Sequence, residues 1–331
     1  MGASSVIIDL HCDLLSYMAL SPKATAFDSE VIGCAVPHLQ AGKVKLQTMA
    51  LFAKTAAGSS EFGMKQATVW RELLDAGTFK AWQRDMGESE LLAEDGVIYA
   101  LPSLESASGF AEEDEPLSRS LARLEQLLIL IGRPLYLSLT HHPENRFGGG
   151  NKTEVGLKPD GKVLLEHLSG RGIAIDLSHT SDALAYGIVE HIEAKNLDLR
   201  LMASHSNFRE VMPHNRNLPD ELALEILARK GLVGLNFVRD FLGPNDPRKL
   251  FAHVRKALSL GLDNCLAWGA DFFPPSLLPE EMRADRDPIF HPEHQDASVY
   301  PILLEQLKKE APTLDQEKLC WKNALAFLQM D

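Results

Sequence analysis

The apolar run Val6-Ile7-Ile8 leads directly into Asp9-Leu10-His11-Cys12-Asp13. Side chains alternate across a strand, so Asp9, His11 and Asp13 are expected to emerge together where the strand meets its loop. An imidazole and a carboxylate two residues apart can hold a divalent cation from a rigid element, and Zn²⁺ accepts both ligand types. Alone, the stretch reads equally well as a turn-capping aspartate beside a hydrogen-bonded core histidine. The rest of the chain supplies partners: Glu105, His141, His179, His205 and Asp271 each follow a short apolar run. His11, Asp13, Glu105, His179 and His205 then offer enough nitrogen and oxygen ligands for two metals if one carboxylate bridges. Two neighbouring cations lower the pKa of a bridging water from about 15.7 toward neutrality and so supply hydroxide at working pH. A histidine beside the developing oxyanion and a carboxylate near that water complete the requirements for acyl transfer.

Such scattered residues need a frame that returns every strand end to one face. Short apolar runs alternate with longer segments of helical period, which implies parallel strands covered by helices. Eight strands are expected at about 6–10, 46–53, 97–104, 135–140, 173–177, 199–203, 232–237 and 265–269. Helices are expected near 61–84, 117–131, 161–169, 182–195, 219–230, 248–260, 298–309 and 314–328. Pro219 suits a first helical turn, and Gly172, Gly231 and Gly261 suit helix ends. Eight such units predict an α/β chain of the (β/α)8 TIM-barrel type, in which all strand C-termini converge on the active-site face. The whole chain, 1–331, reads as a single catalytic domain, with residues 272–297, rich in Pro, Glu, Asp and His, as a loop over the mouth. Gly148-Gly149-Gly150 lacks the Lys and Ser or Thr of a phosphate loop and reads as a flexible connection after the fourth strand.

Composition narrows the class further. A net charge of -13 argues against a nucleic-acid partner. The four cysteines are scattered and are expected to be reduced and structural. With no basic leader and no membrane-length apolar stretch, a cytoplasmic protein without a membrane partner is expected. His142, His167, His191, His253, His291 and His294 do not repeat the strand-end placement and read as solvated or locally capped.

Several ordered motifs together resemble the membrane (renal) dipeptidase family of dizinc metallopeptidases, peptidase family M19, among the amidohydrolase-like barrels. They are Asp9-Leu-His11-Cys-Asp13, Leu139-Thr140-His141 followed by Asn145, Ile175-Asp176-Leu177-Ser178-His179, and Ser204-His205-Ser206. His214-Asn215-Arg216-Asn217-Leu218-Pro219-Asp220-Glu221 and Gly269-Ala270-Asp271-Phe272 complete the set. The resemblance implies that His11 and Asp13 hold one zinc, His179 and His205 the other, and that Glu105 bridges both. It also implies that His141 polarises the scissile carbonyl, Arg216 binds the substrate's terminal carboxylate and Asp271 handles protons. On residue type alone, Arg216 could equally be a surface arginine paired with Asp220 or Glu221.

Two departures matter for the pocket. Ser106-Ala107 stands where the family has a glycine pair, and Phe273-Pro274 replaces its Asp-Gly. The expected activity is zinc-dependent hydrolysis of a small dipeptide with a free C-terminal carboxylate, using two divalent metal ions per chain, with a homodimer left open. The alternatives are an amidohydrolase acting on a cyclic amide, an N-acyl amino acid or a lactone, and a metal-binding barrel without catalysis.

Overall fold

The structure, a computed structural model, describes residues 6–93, 96–278 and 288–330. Its strands are β1 (Ile7–Cys12), β2 (Val44–Phe52), β3 (Lys80–Ala81), β4 (Tyr99–Glu105), β5 (Tyr136–Ser138), β6 (Ala174–Asp176), β7 (Leu201–Ala203), β8 (Leu232–Leu235) and β9 (Leu266–Trp268). Every pairing is parallel, and the β2–β4 pairing closes eight of these strands into a ring. This is the expected (β/α)8 barrel. The two-residue β3 pairs only with β4 and lies outside the ring.

Strands covered by helices on one face and packed into a barrel core on the other should be apolar throughout. The strands of the ring are accordingly buried along their full length. The amphipathic helices Leu117–Ile131 and Asp182–Lys195 occupy their expected spans.

The differences have local causes. The helix expected over 61–84 ends at Asp75, because Gly77 turns the chain at φ 70° and the following residues become β3. Helices Leu14–Leu20 and Val36–Ala41 were not anticipated; they are too short to present a clear period. Gly172 and Gly261 take positive φ as expected of helix ends, but at residue 231 the left-handed turn is made by Lys230 instead. Gly231 is required by space: a Cβ there would lie 2.1 Å from the carbonyl oxygen of Leu201 in β7.

Of the expected mouth segment, residues 279–287 lie outside the described residues. On either side of them, Phe272 bridges to Cys12 and Phe290 to Val238. All four cysteines are buried and unpaired. Among the described residues no helix is long and apolar enough to cross a membrane.

Candidate metal centre

The C-terminal ends of β1, β4, β5, β6, β7 and β9 present His11, Glu105, His141, His179, His205 and Asp271 to one rim, and Asp13 joins them one residue beyond β1. Glu105 is the hub. Its Oε1 lies 3.0 Å from His179 Nε2 and 3.5 Å from His205 Nε2, while its Oε2 lies 3.6 Å from His11 Nε2. His11 Nε2 also faces Asp271 Oδ1 at 3.5 Å and Asp13 Oδ2 at 4.0 Å, and it makes no hydrogen bond of its own. His179 Nε2 and His205 Nε2 are 3.0 Å apart. Buried lone pairs converging without donors between them are the arrangement a cation resolves, so the donor set fits divalent metal.

The second nitrogen of two of these rings is tied down. Asp176 accepts hydrogen bonds from the backbone N–H groups of Ser178 and Ser204 and from the hydroxyls of Ser138 and Ser204. Since the Ser204 proton points to Asp176, its oxygen accepts from His205 Nδ1, 2.6 Å away, which leaves Nε2 free to ligate. His11 Nδ1 sits 2.6 Å from the Tyr136 hydroxyl, whose own proton is directed to the Leu10 carbonyl oxygen. The same logic therefore frees His11 Nε2. Ser204→Ala should lower metal affinity roughly 10–100-fold while leaving the fold intact, as loss of an outer partner usually does. Competition with a chromophoric chelator measures it, and unchanged affinity would make the Asp176–Ser204 chain purely structural.

Burial sets the protonation states. It pushes His11 down to about 3 and holds His141, His179 and His205 well below the ordinary imidazole range. It raises Asp13 to about 7 and holds Glu105 and Asp271 well above the carboxylate range, with the Asp13 charge adding to both. Neutral imidazoles are ready to ligate, whereas the carboxyls give up protons when a cation binds.

Not every sequence expectation about these residues holds. Asp9 does not join His11 and Asp13, because the β1–β2 register shifts between Asp9 and Cys12 and breaks simple alternation. Its carboxylate instead accepts from the backbone of His11 and Ala270 and from the Tyr300 hydroxyl. Arg216 is not a surface residue: it is 3% exposed, donates through Nη1 to Ser206 Oγ and through Nη2 to the His205 carbonyl oxygen, and leaves Nε without a partner. Asp220 pairs with Lys256 instead. The glycine run is packed rather than flexible, since a Cβ at Gly150 would meet the His141 carbonyl oxygen at 2.0 Å. His167, His191, His253 and His291 each hydrogen-bond to a group of another segment, but the last three are buried rather than solvated, as is His294, whose Nδ1 has no partner. His142 bonds to Asn151 and also stands in the site.

The rim opens into a cavity of about 440 Å³ lined by Asp13, Glu105, His141, His142, His179 and Asp271. Phe52, Phe241, Phe273, Leu277 and Leu278 supply apolar walls. His142, His214 and the cationic pair Lys54 and Lys152 were not singled out as site residues. His142 and Lys54 stand close to strand ends and His214 opens one of the motifs quoted above, whereas Lys152 carries neither signal. Three site-flanking residues, Ser106, His179 and Asp271, take φ of 76°, 66° and 65°. Ser106 thus holds, at some strain, a conformation natural to glycine.

A closed parallel barrel with residues able to hold a metal gathered at its strand C-termini puts a candidate metal centre in the usual enzymatic position. More narrowly, the chain belongs to the membrane dipeptidase family, peptidase family M19, whose model matches residues 1–274. Relatives include an uncharacterized dipeptidase of Schizosaccharomyces pombe, 24% identical over 190 residues, 55% of this chain and 42% of that protein. A dipeptidase of Claviceps purpurea is 25% identical over 206 residues, 59% of this chain and 44% of the other. The matched segments thus span less than half the length of these two relatives. A solved metallopeptidase of Rhodobacter sphaeroides, liganded with a phosphinate mimic of the dipeptide L-Ala-D-Ala, superposes with a TM-score of 0.78. It is 19% identical, with 99% of each chain covered. A second solved M19 dipeptidase gives 0.79 at 20% identity, covering 99% of this chain and 98% of that one.

Proposed function

We propose that this chain is a binuclear zinc dipeptidase, acting on small dipeptides with a free C-terminal carboxylate, and that residues 1–331 form one catalytic unit. The observation that carries this reading is the division of Glu105: one oxygen toward His179 and His205, the other toward His11. His11 and Asp13 would hold one ion, His179 and His205 the second, with Glu105 between them. Bound there, the ions supply Lewis acidity and a water acidified toward neutrality.

The protein's own groups do the rest. His141, neutral at working pH, offers a ring N–H to the oxygen of the scissile carbonyl as negative charge develops on it. Asp271 is gripped through Oδ2 by Asn236 Nδ2 at 2.9 Å, which leaves Oδ1 free to take a proton and pass it to the departing amine. Burial raises its affinity for protons, the direction such an exchange needs. The apolar walls shed water from the substrate, and a cavity of about 440 Å³ suits a dipeptide rather than a folded protein.

Purified protein should hold two zinc ions by elemental analysis and hydrolyse members of a panel of L,L and L,D dipeptides. A chelator should abolish turnover and zinc restore it. Because Asp13 holds its proton up to about pH 7, metal affinity should fall as pH drops through that value. A protein that retains two metals yet cleaves only N-acyl amino acids, cyclic amides or lactones would move the reading to another amidohydrolase.

Arg216 is assigned to the terminal carboxylate on its burial with no carboxylate partner among the described residues and with an idle Nε. Arg216→Lys should then raise KM for dipeptides by roughly tenfold or more, since charge-assisted bonds to a carboxylate are worth about 1.5–3 kcal/mol, and should spare the corresponding C-terminal amides. Equal losses on both would reduce Arg216 to a support for His205.

A further inference from the structure

We propose that His141, His142 and His179 form an additional, weaker site for a divalent transition-metal ion, and that its occupation inhibits the enzyme by capturing His141. One ring nitrogen from each of these residues lies within 4.8 Å of the other two. The ring centroids are 4.0 Å apart for His141 and His142, 4.2 Å for His141 and His179, and 4.9 Å for His142 and His179.

Two of the rings have a nitrogen to spare. His142 Nδ1 lies 2.9 Å from Asn151 Oδ1, and an amide oxygen only accepts, so that nitrogen holds the ring proton. Nε2 of His142 keeps its lone pair, in the arrangement by which a ligating histidine is normally oriented. His179 presents Nε2 to Glu105 and His205, yet its Nδ1 is buried with no hydrogen-bond partner. A ring that ligates through both nitrogens releases its remaining proton to solvent. His141 and His142 line the cavity, so an ion can reach them without opening the fold.

The donor set selects the ion. Three imidazoles suit Zn²⁺, Cu²⁺ or Ni²⁺, whereas Mg²⁺ and Ca²⁺ require oxygen. No carboxylate belongs to this group, and the charges of Lys152 and Arg216 act on its histidines. The site is therefore weaker than the one around Glu105 and fills only when metal is in excess. An ion seated there withdraws His141 from the substrate carbonyl. That inhibitory half rests on the role proposed above for His141; the cation site does not.

The test is a Zn²⁺ titration of full-length protein already carrying its basal metal, comparing wild type with His142→Ala and with His142→Phe, which keeps a ring but no nitrogen. Bound zinc is counted by elemental analysis at each free-zinc concentration, and dipeptide turnover is followed in parallel. Wild type should take up one equivalent more than either variant, and the zinc concentration that halves turnover should rise roughly tenfold or more on substitution at 142. Equal zinc uptake by wild type and both variants, with circular dichroism showing all folded, overturns the site. An extra equivalent without any loss of turnover overturns the inhibitory half. An extra equivalent that depends on His142, in a protein cleaving no dipeptide, supports the cation site and overturns the catalytic reading alone.

Discussion

Glu105→Gln is expected to empty both halves of the metal centre together. The two carboxylate oxygens face different partners, His179 and His205 on one side and His11 on the other. A glutamine cannot serve both: one of its terminal atoms becomes an NH2 that points donors at a cation. The loss of affinity should exceed the roughly 10–100-fold that follows removal of an outer hydrogen-bond partner. Zinc content after dialysis should fall from two ions to less than one, and turnover with it. Loss of one ion while the other stays would make Glu105 a terminal ligand of a single site. The melting curve separates a lost ligand from a lost fold. In the metal-free protein the Glu105 carboxyl is held well above its ordinary range by burial, so ionising it opposes folding. At neutral pH the metal-free glutamine variant should therefore melt no lower than the metal-free wild type.

His141→Ala is the second large effect, and it should act on chemistry rather than on metal. The ring stands 3.9 Å from Glu105 Oε1, packs edge-on against Phe52 and lies beside His179, yet the five proposed ligands are complete without it. A fall in kcat on the order of 10²-fold or more is expected, with a smaller change in KM, because the bond to the carbonyl oxygen strengthens only as charge develops there. Each preparation needs a zinc count, since missing metal would mimic missing catalysis. Near-normal turnover with two zinc ions bound would remove His141 from the mechanism.

Much of this arrangement is legible in the residues themselves. The (β/α)8 ring follows from apolar runs alternating with helical periods, and Glu105, His141, His179, His205 and Asp271 could be placed at strand ends because each follows such a run. What escapes is whatever depends on two segments meeting. Asp9 has the spacing of a ligand, but a register shift and the approach of Tyr300 from the helix Tyr300–Glu310 turn its carboxylate to structural use. Arg216 has the look of a surface charge because nothing in its neighbours announces that His205 and Ser206 will enclose it. His142 is set aside for want of a strand-end position of its own, although following His141 directly is enough to bring it into the cavity. Gly150 has the composition of a flexible loop and the environment of a packed core, a difference visible only once the His141 carbonyl lies against it.

The seam of the barrel has a consequence in time. β1 and β9 are the first and last strands among the described residues; Asp9 aligns with Trp268, and the seam continues past both strands in the Cys12–Phe272 bridge. His11 and Asp271 flank that seam, 3.5 Å apart at their side chains. Contacts between residues so distant in sequence are the slowest to form, because the long loop between them must close first. A cation drawn to His11 and its neighbouring carboxylates would therefore find its full coordination only after the last strand has docked. Metal capture would then be the closing event of folding, a clasp fastened after the ring is drawn shut.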